Sequence, residues 1–332
     1  MKTALGITLA AALAGLAVSN VATAQNTTPT ADPVSLVDAL EGVFGTHAGF
    51  RRSGARGVCA EGTFTGNRAG AALSKAVVFN GKPVPVTLRF SVGGGNPNAP
   101  ENAKGVRGLS AQFDLPNGEQ WLMANISAPF FTAATPEGFL AFAEARRPDP
   151  ATGKPNPDKI AAAAAKYPDY KPQMDWIAKT GVPASYAAVN YWGVNAFMFT
   201  NSKGQTQAVR WMFEPVTGQE FVDSEKLASY PKVFLEDELK GRVSQIPVVF
   251  NMVLQLAEPG DPTNNATVAW PDSRKKVVVG QLKVNAVTPK SSCDNINFNP
   301  LVLPTGMEGS DDPLLAARAG SYAVSQGRRL AK

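Results

Sequence analysis

Asp311-Asp312-Pro313-Leu314-Leu315-Ala316-Ala317-Arg318-Ala319-Gly320-Ser321-Tyr322 reads as the opening of a final helix. Acidic residues and a proline stand where the helix dipole and the missing N–H favour them, and no breaker follows before Gly320. Arg318 and Tyr322 are four apart, so a helix places the guanidinium and the phenol on one face, with Cβ atoms about 5–6 Å apart. From there the cation can donate to the phenolic oxygen and favour its ionised form, which is a possible metal ligand. Taken alone, an Arg and a Tyr at this spacing are more often an ordinary surface or core contact.

Upstream of that helix the pattern alternates between strands and helices. Between Val58 and Phe131, β-rich runs fall at Ala76–Phe79, Val84–Val92, Leu109–Leu115 and Gln120–Ala124. Turn signals such as Asn80-Gly81 and Pro116-Asn117-Gly118 separate them, the spacing of antiparallel strands. Thr135 then caps a helix with Pro136 and Glu137 in its first turn. Further helices are expected over Pro157–Lys166, near Gln173–Lys179 and, short and charged, near Phe234–Val243. Strand signals return at Val189–Thr200, Gln207–Phe213, Pro247–Leu256 and Lys276–Val287. Strands, helices and strands again predict an α+β fold with one large antiparallel sheet or barrel. The run from Met1 through an apolar stretch to Ala22-Thr23-Ala24 has the form of a signal peptide over 1–24. A polar segment over 25–36 reads as a flexible arm, followed by a single domain over 37–332. The mature chain is therefore expected in the periplasm or secreted, with no membrane span after cleavage.

Composition narrows the chemistry. The chain has 332 residues, 44% of them hydrophobic, and a formal charge of +5, too diffuse on this length for a nucleic-acid stripe. Its one histidine, His47, is what every histidine-based triad or zinc site would have to share. Its two cysteines, Cys59 and Cys293, are too few for a thiolate zinc cluster; they are either a disulfide of an oxidising compartment or two buried thiols. Gly93-Gly94-Gly95-Asn96 lacks the context of a phosphate-cradling loop and reads as an ordinary one.

Arg318-Ala319-Gly320-Ser321-Tyr322 resembles the Arg-x-x-x-Tyr motif of haem catalases, whose tyrosine binds the iron. Asp261-Pro262-Thr263, Trp270-Pro271, Val279-Gly280-Gln281-Leu282 and Phe298-Asn299-Pro300 follow in the order of that family's elements. Leu88-Arg89-Phe90-Ser91, Arg107-Gly108 and Gln112-Phe113 resemble its upstream strands, and Pro150-Ala151-Thr152-Gly153-Lys154-Pro155 is similar to a stretch of the short, exported catalase-related peroxidases. The resemblance covers roughly residues 42–329. It implies an antiparallel eight-stranded barrel with surrounding helices and one haem b (heme b) between the barrel and the last helix. Tyr322 would be the axial ligand and Arg318 its charge partner. Arg51, Arg89 with Ser91 on the same strand, and Arg329 would face the haem and its propionates, and Phe139 would flank the porphyrin. Phenylalanines at the spacing of Phe130, Phe131 and Phe139 are also ordinary core.

The same resemblance exposes two departures. Arg51-Arg52-Ser53-Gly54-Ala55-Arg56-Gly57 carries Gly54 where the family has its distal histidine, and Ser127-Ala128-Pro129 stands where the family has an asparagine, leaving Ser127 to donate one hydrogen bond. Losing a general acid–base group costs about 10²–10⁴ in rate. Three readings follow: a haem peroxidase using hydrogen or organic peroxides and an unknown electron donor with weakened activity; one in which His47 restores the acid–base step; or a non-enzymatic haem-binding or haem-sensing protein. A fourth, without haem, is a barrel that takes an apolar ligand.

Overall fold

The computed structural model describes Met1 and residues 31–331, so the expected signal segment beyond Met1 lies outside the described residues. Eight strands form the body: β1 (Gly57–Gly66), β2 (Pro83–Val92), β3 (Arg107–Asp114), β4 (Gln120–Ile126), β5 (Tyr191–Thr200), β6 (Thr206–Pro215), β7 (Val248–Leu256) and β8 (Lys276–Thr288). All pair antiparallel in the order β4-β3-β2-β1-β8-β7-β6-β5, and the pairing of Ile126 with Trp192 joins β4 to β5 and closes the barrel. Closure removes the free edges an open sheet would leave. A short β9 (Met307–Gly309) extends β5 beyond the closure point.

Alternation of side chains decides which face fills the barrel. Along β3 the odd positions, Arg107, Leu109, Ala111 and Phe113, are buried while their neighbours are only partly covered. The interior is dominated by rings, among them Phe64, Phe79, Phe113, Trp121, Phe199 and Trp211. Trp121 meets Trp211 edge to face with centroids 5.5 Å apart.

Among the described residues seven helices surround the barrel: α1 (Pro33–Phe44), α2 (Arg68–Leu73), α3 (Pro136–Glu144), α4 (Pro157–Lys166), α5 (Lys171–Lys179), α6 (Leu235–Gln245) and α7 (Pro313–Leu330). None is long and apolar enough to cross a membrane among the described residues. Three results depart from the sequence reading. The run Ala76–Phe79 is not a strand: Val77–Phe79 form a 3₁₀ turn, in which the Phe79 N–H donates to the Ala76 carbonyl and the Ala76 N–H to Ser74 Oγ. Four apolar residues between Lys75 and Asn80-Gly81 are too few to propagate a ladder. Helix α1 begins at Pro33, inside the stretch read as a flexible arm, because Asp32 accepts the N–H groups of Val34 and Ser35 and Leu36, Val37 and Ala39 are buried. And α7 runs through Gly320, where a Cβ would stand 2.6 Å from Pro33 Cγ; the glycine admits the start of α1 against α7. Of the two cysteine readings, the structure takes the disulfide, Cys59 to Cys293 across 234 positions.

Candidate functional site

A cavity of about 360 Å³ lies between the barrel wall, α1, α3 and α7, within the size range of cofactor sites. Apolar side chains make its long walls, Leu36, Leu40 and Phe44 from α1, Phe139 and Phe142 from α3, and Leu314 and Ala317 from α7. Helix α7 contributes one continuous face: Leu314, Arg318, Tyr322, Ser325 and Arg329 all line the cavity, at the three- and four-residue spacing of neighbouring turns.

One end of that face is set by a chain of hydrogen bonds. The Tyr322 oxygen accepts from Arg318 at 2.7 Å, and the other Arg318 amino group donates to Asn195 Oδ1 at 2.8 Å. Asn195 Nδ2 donates to Asp312 Oδ2 at 2.8 Å, and Asp312 in turn caps α7 by accepting from the Leu314 and Leu315 N–H groups. Asn195 reaches this position because β5 slips register against β6 between Gly193 and Phe197. The helix start, the guanidinium and the phenol are thereby fixed to one bulge of the barrel.

The other end is cationic. Arg51 donates to the carbonyls of Cys293, Asp294 and Ile296, at 3.0, 3.2 and 2.9 Å, while its Nε is buried without a partner. Arg89 is buried and donates to the Ala55 carbonyl at 3.2 Å. Arg329 is buried with Nε and one terminal nitrogen unpartnered. Burial pushes the Arg51 guanidinium down to about 9, with repulsion from Arg89 and Arg329 adding to it, and burial likewise lowers Arg89 and Arg329. A buried cation lacking donors' partners is costly unless an anion completes it. Among the described residues lining the cavity are seven arginines and one tyrosine, with no His, Asp, Glu or Lys.

The structure brings together Tyr322, Arg318, Arg51, Arg89, Ser91, Arg329 and Phe139, all of which line this cavity. It does not bring in His47 or Ser127. The His47 ring nitrogen pairs with the Phe44 carbonyl at 2.9 Å, and no part of the residue forms the wall. Ser127 Oγ accepts the Arg107 N–H at 2.8 Å behind the wall; Asn125, two residues earlier, is the one exposed to the cavity. Both ends of the Asn125 amide are already used, donating to Leu109 O at 2.9 Å and accepting from Trp211 Nε1 at 2.7 Å. Gly54 does line the cavity, at φ +63°, with its absent Cβ position 3.0 Å from Ser91 Oγ. The sequence reading missed the α1 wall and Asn195. Asp32-Pro33 followed by Leu36, Val37, Leu40 and Val43 carried the helix signal for the first; Asn195 sits in a strand pattern that gave none.

The family model described as Catalase matches residues 34–332. The chain belongs to the catalase family. It is 42% identical over 324 residues to the catalase-related peroxidase of Synechococcus elongatus, covering 97% of this chain and 96% of that protein. It is 32% identical over 296 residues to that of Mycolicibacterium paratuberculosis, covering 88% and 93%. Against the catalase of Pseudomonas syringae pv. syringae it is 29% identical over 293 residues, which is 83% of this chain but 56% of that enzyme. The fold matches a solved bacterial catalase with a TM-score of 0.77 at 20% identity, over 94% of this chain and 64% of the other. The chain thus spans nearly the whole length of the two catalase-related peroxidases and about half the length of that catalase.

Proposed function

We propose that the chain is a haem-dependent peroxidase of the catalase-related type, exported to the periplasm or secreted, holding one b-type haem. The cavity fits that group on its own chemistry. Apolar walls suit a porphyrin ring, unpartnered buried nitrogens of Arg51 and Arg329 suit its carboxylates, and a phenolic oxygen suits ferric iron. Tyr322 would hold the metal; Arg51, Arg89 and Arg329 would hold the propionates; Phe139 would flank the ring. Bound there, the iron supplies the redox chemistry toward hydrogen or organic peroxides.

The protein's own groups determine how well that chemistry runs. Arg318 donates to the Tyr322 oxygen, so the phenol presents a lone pair rather than a proton to a metal. None of the described residues lining the cavity both takes and returns a proton near neutral pH; the hydroxyls of Ser91 and Ser110 can only hydrogen-bond a peroxide, while Thr132 and the Gln173 amide are already bonded to each other and to the Phe130 carbonyl. The absence of such a group predicts turnover about 10²–10⁴ below that of a site with a placed acid–base residue. The observation that carries the proposal is the pairing of that unbalanced arginine cluster with Tyr322 and Arg318 in one apolar cavity.

The same lack of a proton-transfer side chain favours a second reading, a haem-binding protein without turnover. Titration with hemin followed by peroxide and a reducing dye separates them. The peroxidase proposal expects one hemin per chain and dye oxidation above that of free hemin; binding with no such excess leaves only the carrier.

A further inference from the structure

We propose that the Cys59–Cys293 disulfide is a positioning element for Arg51, and that its oxidation state sets how firmly the cavity holds a carboxylate-bearing ligand. The inference rests on the haem reading above and adds redox control to that site.

The cystine is not what holds β1 in place. Cys59 lies on β1, where the ladder already pairs it with Arg89 of β2 on one side and Thr288 of β8 on the other. Backbone hydrogen bonds on both flanks hold β1 in the barrel whether or not the sulfurs are joined. The segment that follows β8 has no such ladder. It folds through a short 3₁₀ turn at Lys290–Ser292 and then gives its carbonyls, at Cys293, Asp294 and Ile296, to a single guanidinium, Arg51. Phe298 of the same segment packs with both cysteines and lies 5.3 Å from the Arg51 guanidinium carbon. Asn297 and Phe298 themselves line the cavity, and the field of Asp294 reaches Arg51, Arg89 and Arg329.

Cys293 is therefore the covalent anchor of a loop that shapes and charges the cationic end of the cavity. The loop's hydrogen bond to α7, donated by Gln326 Nε2 to the Asn295 carbonyl at 2.8 Å, is solvent-exposed and correspondingly weak. A dithiol reductant would pass two electrons and two protons to the cystine, giving two thiols and a cyclic disulfide of the reductant. Cys59 would then stay on the barrel while the loop lost its tie. Arg51 would lose the fixed carbonyls that aim its unpartnered Nε, and with them the preorganisation that makes a charged pair strong.

The test compares hemin release from the oxidised chain and from the Cys59→Ala/Cys293→Ala variant, using excess of an apo-haemoprotein as scavenger. The same measurement is made with the dimethyl ester of iron protoporphyrin, which has the ring and metal but no carboxylates. The proposal expects hemin to leave the variant at least about tenfold faster, the loss of one charge-assisted contact, and the ester to leave both proteins at the same rate. Phosphine reduction of the unsubstituted chain, with far-UV circular dichroism showing the barrel retained, gives the same comparison if the variant does not fold. Equal hemin rates, or equal acceleration of hemin and ester, overturn the proposal and leave the haem reading standing. Failure of the oxidised chain to bind hemin overturns both.

Discussion

Replacing Arg329 with methionine should move cofactor affinity and protein stability in opposite directions. Arg329 is 7% exposed, and two of its nitrogens, Nε and one terminal amino group, are buried with no partner. Each charge-assisted hydrogen bond they would make to a carboxylate contributes about 1.5–3 kcal/mol, so losing the pair should weaken hemin binding by about 3–6 kcal/mol, or roughly 10²- to 10⁴-fold. In the cofactor-free chain the same substitution removes two unsatisfied donors, each costing on the order of 1 kcal/mol, and replaces them with an apolar side chain of similar reach. It also removes one of the charges that repel Arg51. The cofactor-free protein should therefore melt about 2 °C or more higher. Calorimetry of the cofactor-free variant and a hemin titration of the same preparation measure both. A variant that melts lower and binds hemin within threefold of the parent would make Arg329 a structural residue and refute the reasoning.

Other outcomes follow from the same geometry. His47→Ala should leave peroxide-dependent dye oxidation within twofold, since the ring is occupied by the Phe44 carbonyl outside the cavity; a large loss in that assay would return His47 to the site. Gly54→Ala should destabilise the fold by about 1–2 kcal/mol in urea unfolding, because φ is +63° and the new Cβ would stand 3.0 Å from Ser91 Oγ; no change would mean the loop relaxes freely. Asn195→Leu should leave hemin bound but shift its absorption, since Arg318 then loses one of the partners that aim it at Tyr322; an unchanged spectrum would make the relay from Asp312 irrelevant to the ligand.

The parts legible in the sequence were those with local causes. Asp312 and Pro313 announce α7 because a cap and a fixed φ act within one turn, and Arg318 and Tyr322 share a face because helical spacing requires it. The strand runs of β2 through β8 were visible in their β-rich residues and the turn residues between them. What stayed hidden depends on distant contacts. Nothing near Asn195 signals a bulge, which arises where β5 must meet β6, β4 and β9 along one strand. The cysteine pairing could not be chosen from the chain, because it is the β1–β8 ladder that brings Cys59 beside Thr288 and so within reach of Cys293. The failure of His47 as a cavity residue is a matter of backbone direction: the chain leaves α1 at Gly45, with φ +81°, and the ring is turned back onto its own helix end.

The phenolic oxygen of Tyr322 is the proposed ligand of the iron, and the ferric absorption spectrum of the hemin-loaded protein beside that of Tyr322→Phe tests that role most directly. A phenolate charge-transfer band in the parent that vanishes in the variant, with hemin still bound through the arginine end, is the expected result. Identical spectra from the two proteins would show that some other group holds the iron.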